Sequence, residues 1–136
     1  MTEVLVLDDE NYKNIIENNS VFMLDCYTPM CLPCKSVDVI IKELSNEFGN
    51  KAGFGKIDIS KNSNFREEFK VEIVPTILIF QRNKLVKKLG YTGIAGGLST
   101  LKLIAGSKSK GGMPDDYHLS DPKVKKRLAK ILSKYL

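Results

Sequence analysis

Asp25-Cys26-Tyr27-Thr28-Pro29-Met30-Cys31-Leu32-Pro33-Cys34 is the stretch on which the reading of this chain turns. Ahead of it lies an apolar run, Val21-Phe22-Met23-Leu24, of the length and composition of a buried strand. Behind it Val37, Ile40, Ile41, Leu44 and Phe48 recur at steps of three or four, the spacing of an amphipathic helix. Cys31 and Cys34 therefore stand where a strand turns into a helix. At that place Cys31 can occupy the helix N-terminus, where unsatisfied backbone N–H groups and the macrodipole favour a thiolate, the reactive form of cysteine. The turn brings Cys34 round within reach of Cys31. Pro33, which has no N–H, fits the first helical turn without removing a helical bond.

Two plainer readings of the cysteine pair stand beside a redox one. Structural zinc takes four ligands, and a second ligand pair is missing, since Cys26 is the only other cysteine and His118 the only histidine. The pair can also be two inert core cysteines. The strand–helix setting favours redox chemistry.

At 136 residues the chain has the length of one small domain with some excess, enough for a proper core. Fifteen of the 21 Lys and Arg and fifteen of the 16 Asp and Glu lie before Asp121, so that part is neutral. The surplus belongs to the last residues, where Lys123, Lys125, Lys126, Arg127, Lys130 and Lys134 face only Asp121. The start, Met1-Thr2-Glu3-Val4, lacks the basic and apolar segments of a secretory signal, and no apolar run approaches membrane-spanning length. Three cysteines without export suit a reducing cytoplasm, where a pair spaced like this one is catalytic more often than structural.

Taken in order, Glu3 to Leu7 predicts a strand, with Asp8 and Asp9 as caps for a helix over Asn11 to Glu17. The buried strand and the long helix follow, the helix ending near Gly49 as a C′ residue. Ala52 to Ile59 predicts a strand containing Lys56 and Asp58, and Asn62 to Lys70 a short helix with Phe65 and Phe69 on one face. Val71 to Pro75 leads into the strand Thr76 to Phe80. Gln81-Arg82-Asn83-Lys84 then turns back into a strand from Leu85 to Tyr91, and a glycine-rich link leads to a helix around Leu98 to Ala105. The order β-α-β-α-β-α-β-β-α gives an α/β fold, a mixed central sheet with helices on both faces.

With these residues assembled, the chain resembles the thioredoxin family from about Glu3 to Gly106. Four features match in order and spacing: Leu24-Asp25 ending the central strand six residues before Cys31; Cys31-Leu32-Pro33-Cys34-Lys35; Lys56-Ile57-Asp58; and Val74-Pro75-Thr76, where the family has a cis proline. The resemblance implies a thioredoxin fold and a thiol–disulfide oxidoreductase that reduces protein disulfides. It implies Cys31 as the attacking thiolate, Cys34 as the resolving thiol, Asp25 as a buried carboxylate that handles protons for Cys34, and Lys56 as its neighbour. A carboxylate on a central strand is poorly solvated, so its pKa should rise and make it a usable base. Substrate would lie against Met30, Leu32, Pro33, Val74, Pro75 and Thr76, the Val74 backbone pairing with an extended chain. No cofactor is implied. The implied partners are protein disulfides and a thioredoxin reductase or similar electron donor, acting on a monomer with no nucleic acid and no membrane.

Departures from the family pattern fall around the cysteines. Met30 stands where the family usually has Trp, Leu32 where it has Gly, and Val39 where it has a kinking proline; the chain contains no Trp. Met30 and Leu32 would give the rim of Cys31 a flexible apolar surface. Gly90 or Gly93 would face Pro75. Cys26 reads as a core residue.

The chain divides into a thioredoxin-like domain (1–106), a Gly-, Ser- and Lys-rich flexible linker (107–120) and a basic amphipathic helix (121–136). Asp121-Pro122 opens that helix as cap and first residue. Val124, Leu128, Ile131, Leu132 and Tyr135 share one face, and the expectation is that this face packs back on the body. The alternatives are a specialised redox partner with its own reductase, suggested by Met30 and Leu32, and a binding module that uses the groove and tail to hold one particular protein.

Overall fold

The structure is a computed structural model and describes residues 3–96, Leu119 and residues 121–136. Its centre is β2 (Val21–Tyr27), buried along its first six residues, as an unbroken apolar run requires of a strand covered on both faces. β2 pairs in parallel with β3 (Gly53–Asp58), which pairs in parallel with β1 (Val4–Leu7). On its other side β2 pairs antiparallel with β4 (Thr76–Gln81), and β4 antiparallel with β5 (Lys84–Leu89). The resulting five-stranded mixed sheet has the order β1-β3-β2-β4-β5.

Helices cover both faces. Side chains alternate across a strand, so Val21 and Met23 enter one core while Phe22, Leu24 and Cys26 enter the other. The second core is closed by α1 (Tyr12–Glu17) and α3 (Ser63–Glu68) through Tyr12, Ile16 and Phe65. The first is closed by α2 (Leu32–Phe48), α4 (Tyr91–Ala95) and α5 (Pro122–Ser133). α2 contributes Val37, Ile40, Ile41 and Leu44, the residues its spacing selects.

α5 opens as expected, with the Asp121 side chain accepting from Lys123 N at 2.9 Å and Pro122 at the first helical position. Its Val124, Leu128, Ile131 and Leu132 are buried in the same core as Met23, Ile41 and Ile79, and Tyr135 packs at the edge. Burying such side chains contributes roughly 1.5–3 kcal/mol each. Polar contacts fix the helix at several points along its length: Arg127 Nε donates to Gly93 O (3.0 Å), Gln81 Nε2 donates to Tyr135 O (2.9 Å), and Lys125 pairs with Glu43 (3.8 Å) and Glu47. Lys123, Lys126 and Lys130 point to solvent.

Local differences from the sequence reading have physical causes. Asp8 does not cap α1, whose N-cap is Asn11 without a side-chain bond; its Oδ1 accepts from Glu10 N (2.9 Å) and Asn11 N (2.8 Å) in the turn just before the helix. Asp9 instead crosses to α3, accepting from Phe65 N (2.9 Å) and Asn64 N (3.2 Å), and so satisfies donors of a helix more than fifty residues away. Gly49 is the C-cap of α2 with φ −64°, right-handed, so that helix ends without a left-handed glycine. β5 stops at Leu89, and Tyr91, expected to end the strand, starts α4. Gly96, at φ 96°, ends α4 in the left-handed region that glycine enters without penalty. Arg82 and Asn83 take φ 51° and 66°, the double positive φ of a two-residue hairpin. The helix expected around Leu98 to Ala105 and the linker over 107–120, apart from buried Leu119, lie outside the described residues.

Candidate active site

The end of β2 and the start of α2 place the two cysteines. Cys31 is the N-cap of α2, with extended backbone (φ −95°, ψ 110°), and its Sγ accepts from Cys34 N at 3.1 Å. Leu32 and Pro33 fill the first helical turn and carry the chain to Cys34, leaving the Cα atoms of Cys31 and Cys34 5.3 Å apart. At that distance the two form a disulfide. Cys34 is 4 % exposed, whereas Cys31 is only partly covered. Met30 and Leu32, at 92 % and 60 % exposed, make an apolar rim on the outer side.

Asp25 lies on the α2 side of β2, 1 % exposed. Its Oδ1 has no hydrogen-bond partner, alone among the buried side-chain nitrogen and oxygen atoms of the described residues. Burial is the main force that pushes its pKa up to about 8; Asp38 pushes the same way and Lys56 opposes. Lys56 is the register partner of Asp25 on β3, as the sequence reading places it, but its Nζ bonds Asp38 Oδ1 at 3.4 Å and not Asp25. Asp38, one turn after Cys34, also pairs with Lys42 at 3.3 Å. Lys56 Nζ sits 5.7 Å from the Tyr27 ring centroid. Tyr27, pressed by burial and then by Asp58, Asp25 and Asp38, has its pKa raised.

These groups surround a cleft of about 210 Å³ lined by Asp25, Tyr27, Thr28, Pro29, Cys31, Cys34, Lys35, Asp38 and Lys56. Cys31, Cys34, Asp25 and Lys56, all singled out from sequence, are thus brought together. Asp38, Tyr27 and Thr28 were not singled out. For Asp38 a signal existed, because it lies four residues after Cys34 and so on the same helix face.

The remaining residues lie outside the cleft. The Val74–Pro75 bond is cis. β4 runs antiparallel to β2 with Thr76 opposite Cys26, so Pro75 enters the sheet at the end from which the cysteine turn leaves it. Pro75 is buried and Val74 half-buried; Thr76 Oγ1 donates to Ile73 O at 2.7 Å. Of the two glycines, it is Gly90 that approaches this loop: a Cβ there would lie 2.9 Å from Ile73 Cδ1, while one on Gly93 would meet Leu89. Cys26 is fully buried among Leu24, Ile57 and Leu78, and burial pushes its thiol well up, consistent with a core residue. Among the described residues no cluster of His, Cys, Asp and Glu is placed to hold a metal ion, and no helix is long and apolar enough to cross a membrane.

Fold and site together define a thiol–disulfide oxidoreductase: a cysteine pair closes into a disulfide at a helix N-terminus, over a buried carboxyl. The family model for thioredoxin matches residues 3–103. Over 92 residues the chain is 32 % identical to the thioredoxin of Buchnera aphidicola subsp. Acyrthosiphon pisum, covering 66 % of this chain and 85 % of that protein. Over 87 residues it is 30 % identical to the thioredoxin of Haemophilus influenzae, covering 63 % and 81 %. The solved structure of a mutant thioredoxin from Halobacterium salinarum NRC-1 aligns with TM-score 0.69 at 19 % identity, over 98 % of this chain and 90 % of that one. The chain belongs to the thioredoxin family. It is a protein disulfide oxidoreductase whose redox pair is Cys31–Cys34, with protein substrates and a reductase as its general partners.

Proposed function

We propose that the two cysteines work in sequence, Cys31 attacking and Cys34 resolving, with Asp25 as the proton acceptor for Cys34. The observation that carries this reading is the placement of Cys34, buried in the cleft it shares with Asp25, whose Oδ1 has no hydrogen-bond partner, while Cys31 caps the helix and meets solvent. In the reduced protein the Cys31 thiolate attacks one sulfur of a substrate disulfide. That S–S bond breaks, the other substrate sulfur leaves with the electron pair and takes up a proton, and a mixed disulfide forms. Cys34 then gives its proton to the Asp25 carboxylate and attacks Cys31 Sγ. The second substrate thiol is released, and Cys31–Cys34 is left oxidised, two electrons having passed to the substrate. A dithiol or reductase returns them.

Lys56 opposes protonation of Asp25 from the neighbouring strand. Met30, Leu32 and Pro33 on one side and Val74, Pro75 and Thr76 on the other are proposed to contact the substrate. Support comes from the exposure of Met30 and Leu32 and from the position of Pro75 at the same end of the sheet. The protein is proposed to act as a monomer in the reducing cytoplasm, without nucleic acid or membrane, on the ground that its cysteine pair is catalytic and not structural. The division of the sequence into body, linker and terminal helix is likewise proposed, supported by the docking of α5 on the body.

Insulin reduction driven by dithiothreitol tests this assignment. Turnover in the wild type, its loss in Cys31→Ser, and a trapped mixed disulfide in Cys34→Ser are the expected results. A wild type without turnover would leave a protein-binding module as the better reading.

A further inference from the structure

Lys56 faces two carboxylates and pairs with one. Asp25 is 1 % exposed, and ionising it there means holding a charge away from water. The Asp38 side chain is 29 % exposed, keeps part of its hydration when ionised, and stands on α2 across the cleft from β2. The cation therefore goes to the carboxylate whose charge costs less to keep, and Nζ lies 3.4 Å from Asp38 Oδ1. That leaves the Oδ1 of Asp25 without a partner.

We propose that Asp38 is a positioning residue for the redox pair: it holds Lys56 Nζ on the helix side of the cleft and so controls the charge that faces Asp25. The inference rests on Asp25 serving Cys34 as proposed above, but concerns a residue outside that exchange.

The charges around Asp25 act from each packed element. From α2 come Asp38, tied to Lys42 at 3.3 Å, and Lys35 at the cleft wall. From β3 comes Lys56. β2 supplies Tyr27 in the cleft and the buried Cys26 thiol on the opposite face. β4 offers only apolar Ile77 as the register partner of Asp25. Beyond burial itself, Asp38 raises the pKa of Asp25 and Lys56 lowers it, so the two charges act in opposite senses. Replacing Asp38 by a neutral residue removes a like charge and frees the cation to turn towards Asp25. Both changes favour the carboxylate, so Asp25 should ionise at lower pH.

The test is a direct titration of the Asp25 carboxyl carbon by NMR in the oxidised full-length protein. Asp38→Asn should lower the midpoint by about one pH unit, the size expected for a nearby charge. Asp38→Glu, which keeps the charge, and Lys42→Ala, which removes only the outer ion pair, should titrate as the wild type does. Lys56→Met should raise the midpoint. The Asp38→Asn shift should be smaller in the Lys56→Met background, because a residue acting through Lys56 loses that route when the lysine is gone. Lys56 and Asp38 have 29 % of their side chains exposed, so none of these changes opens a core cavity.

An unmoved midpoint in Asp38→Asn overturns the inference. So does an equal shift in both backgrounds, which would make Asp38 a distant charge and not a positioning residue. Insulin turnover in the same variants separates the two readings. A moved Asp25 midpoint with an unmoved pH profile of turnover upholds Asp38 and removes Asp25 from the exchange.

Discussion

Asp25 and the two cysteines divide the work of the site by their contact with water. Cys31 caps α2 and accepts from Cys34 N, so its thiolate gains both the helix dipole and a donor, while Cys34 lies behind it. In the reduced protein at neutral pH, limited alkylation should therefore label Cys31 well before Cys34; faster modification of Cys34, read by peptide mass mapping, would reverse the roles. Asp25 permits a second prediction. Its folded pKa of about 8 lies above the ordinary 3.8, so the folded state binds the proton more tightly than the unfolded chain does. Its contribution is fully present below about pH 4 and is lost as pH rises through 8. Asp25→Asn removes that loss. Urea unfolding of the oxidised variant should show a stability gain that is small at pH 4 and grows to a few kcal/mol by pH 8, since each pH unit between the folded and unfolded pKa is worth about 1.4 kcal/mol. A difference independent of pH would mean Asp25 is not held neutral. The same variant should resolve mixed disulfides more slowly while leaving the first attack intact. That Cys31 and Cys34 sit at a strand–helix turn was legible from their spacing, and the resemblance to the thioredoxin family pointed to Asp25 and Lys56, which line the same cleft. Asp38 was not legible, because an Asp with Lys42 one turn on reads equally well as a solvated ion pair on a helix surface.

Elements were legible where a residue's partners are local and obscure where they are not. The long apolar run of β2 and the three–four spacing of α2 depend on neighbours in sequence, and both formed as read. Boundaries set by distant groups did not. Asp9 looks like a cap for the helix it precedes, yet α1 has no side-chain cap, its Tyr12 N going to the Asp8 carbonyl, and Asp9 turns to the open N–H groups of Asn64 and Phe65. The end of β5 is decided similarly, because its partner β4 offers Ile77 opposite Leu89 and nothing earlier in the strand for Tyr91. Asp9→Ala should accordingly weaken α3 and not α1, at a cost of about 1 kcal/mol, the usual worth of a lost cap. Amide exchange should quicken at Asn64 and Phe65 while the amides of α1 keep their protection. Faster exchange confined to α1 would return Asp9 to the role its sequence position gives it.

At the scale of the molecule the question is what α5 does for the body. Its periodicity showed which face is apolar, but an amphipathic helix says nothing of which surface it covers. In the structure its buried side chains complete the core above α2 and β4, and Arg127 and Gln81 fix it to α4 and the end of β4. The basic surplus of the chain thus becomes the outer face of a structural helix. Four side chains at roughly 1.5–3 kcal/mol each amount to about 6–12 kcal/mol of apolar burial, comparable with the whole stability of a small domain. Leu128, fully buried, gives the smallest probe: Leu128→Ala should cost about 2–5 kcal/mol, the range for a leucine removed from a packed core. A chain ended at Ser120 should do worse, because the side chains of α2 and α4 packed in the same core would lose the cover of α5. It should bind a hydrophobic dye and unfold without a sharp transition. Insulin reduction by Leu128→Ala at a temperature where it stays folded should match the wild type, since no residue of the helix lines the cleft that holds Cys31, Cys34 and Asp25. If the shortened chain melted as sharply as the whole one, and within a few degrees of it, the core would close without α5, and the helix would be a peripheral attachment.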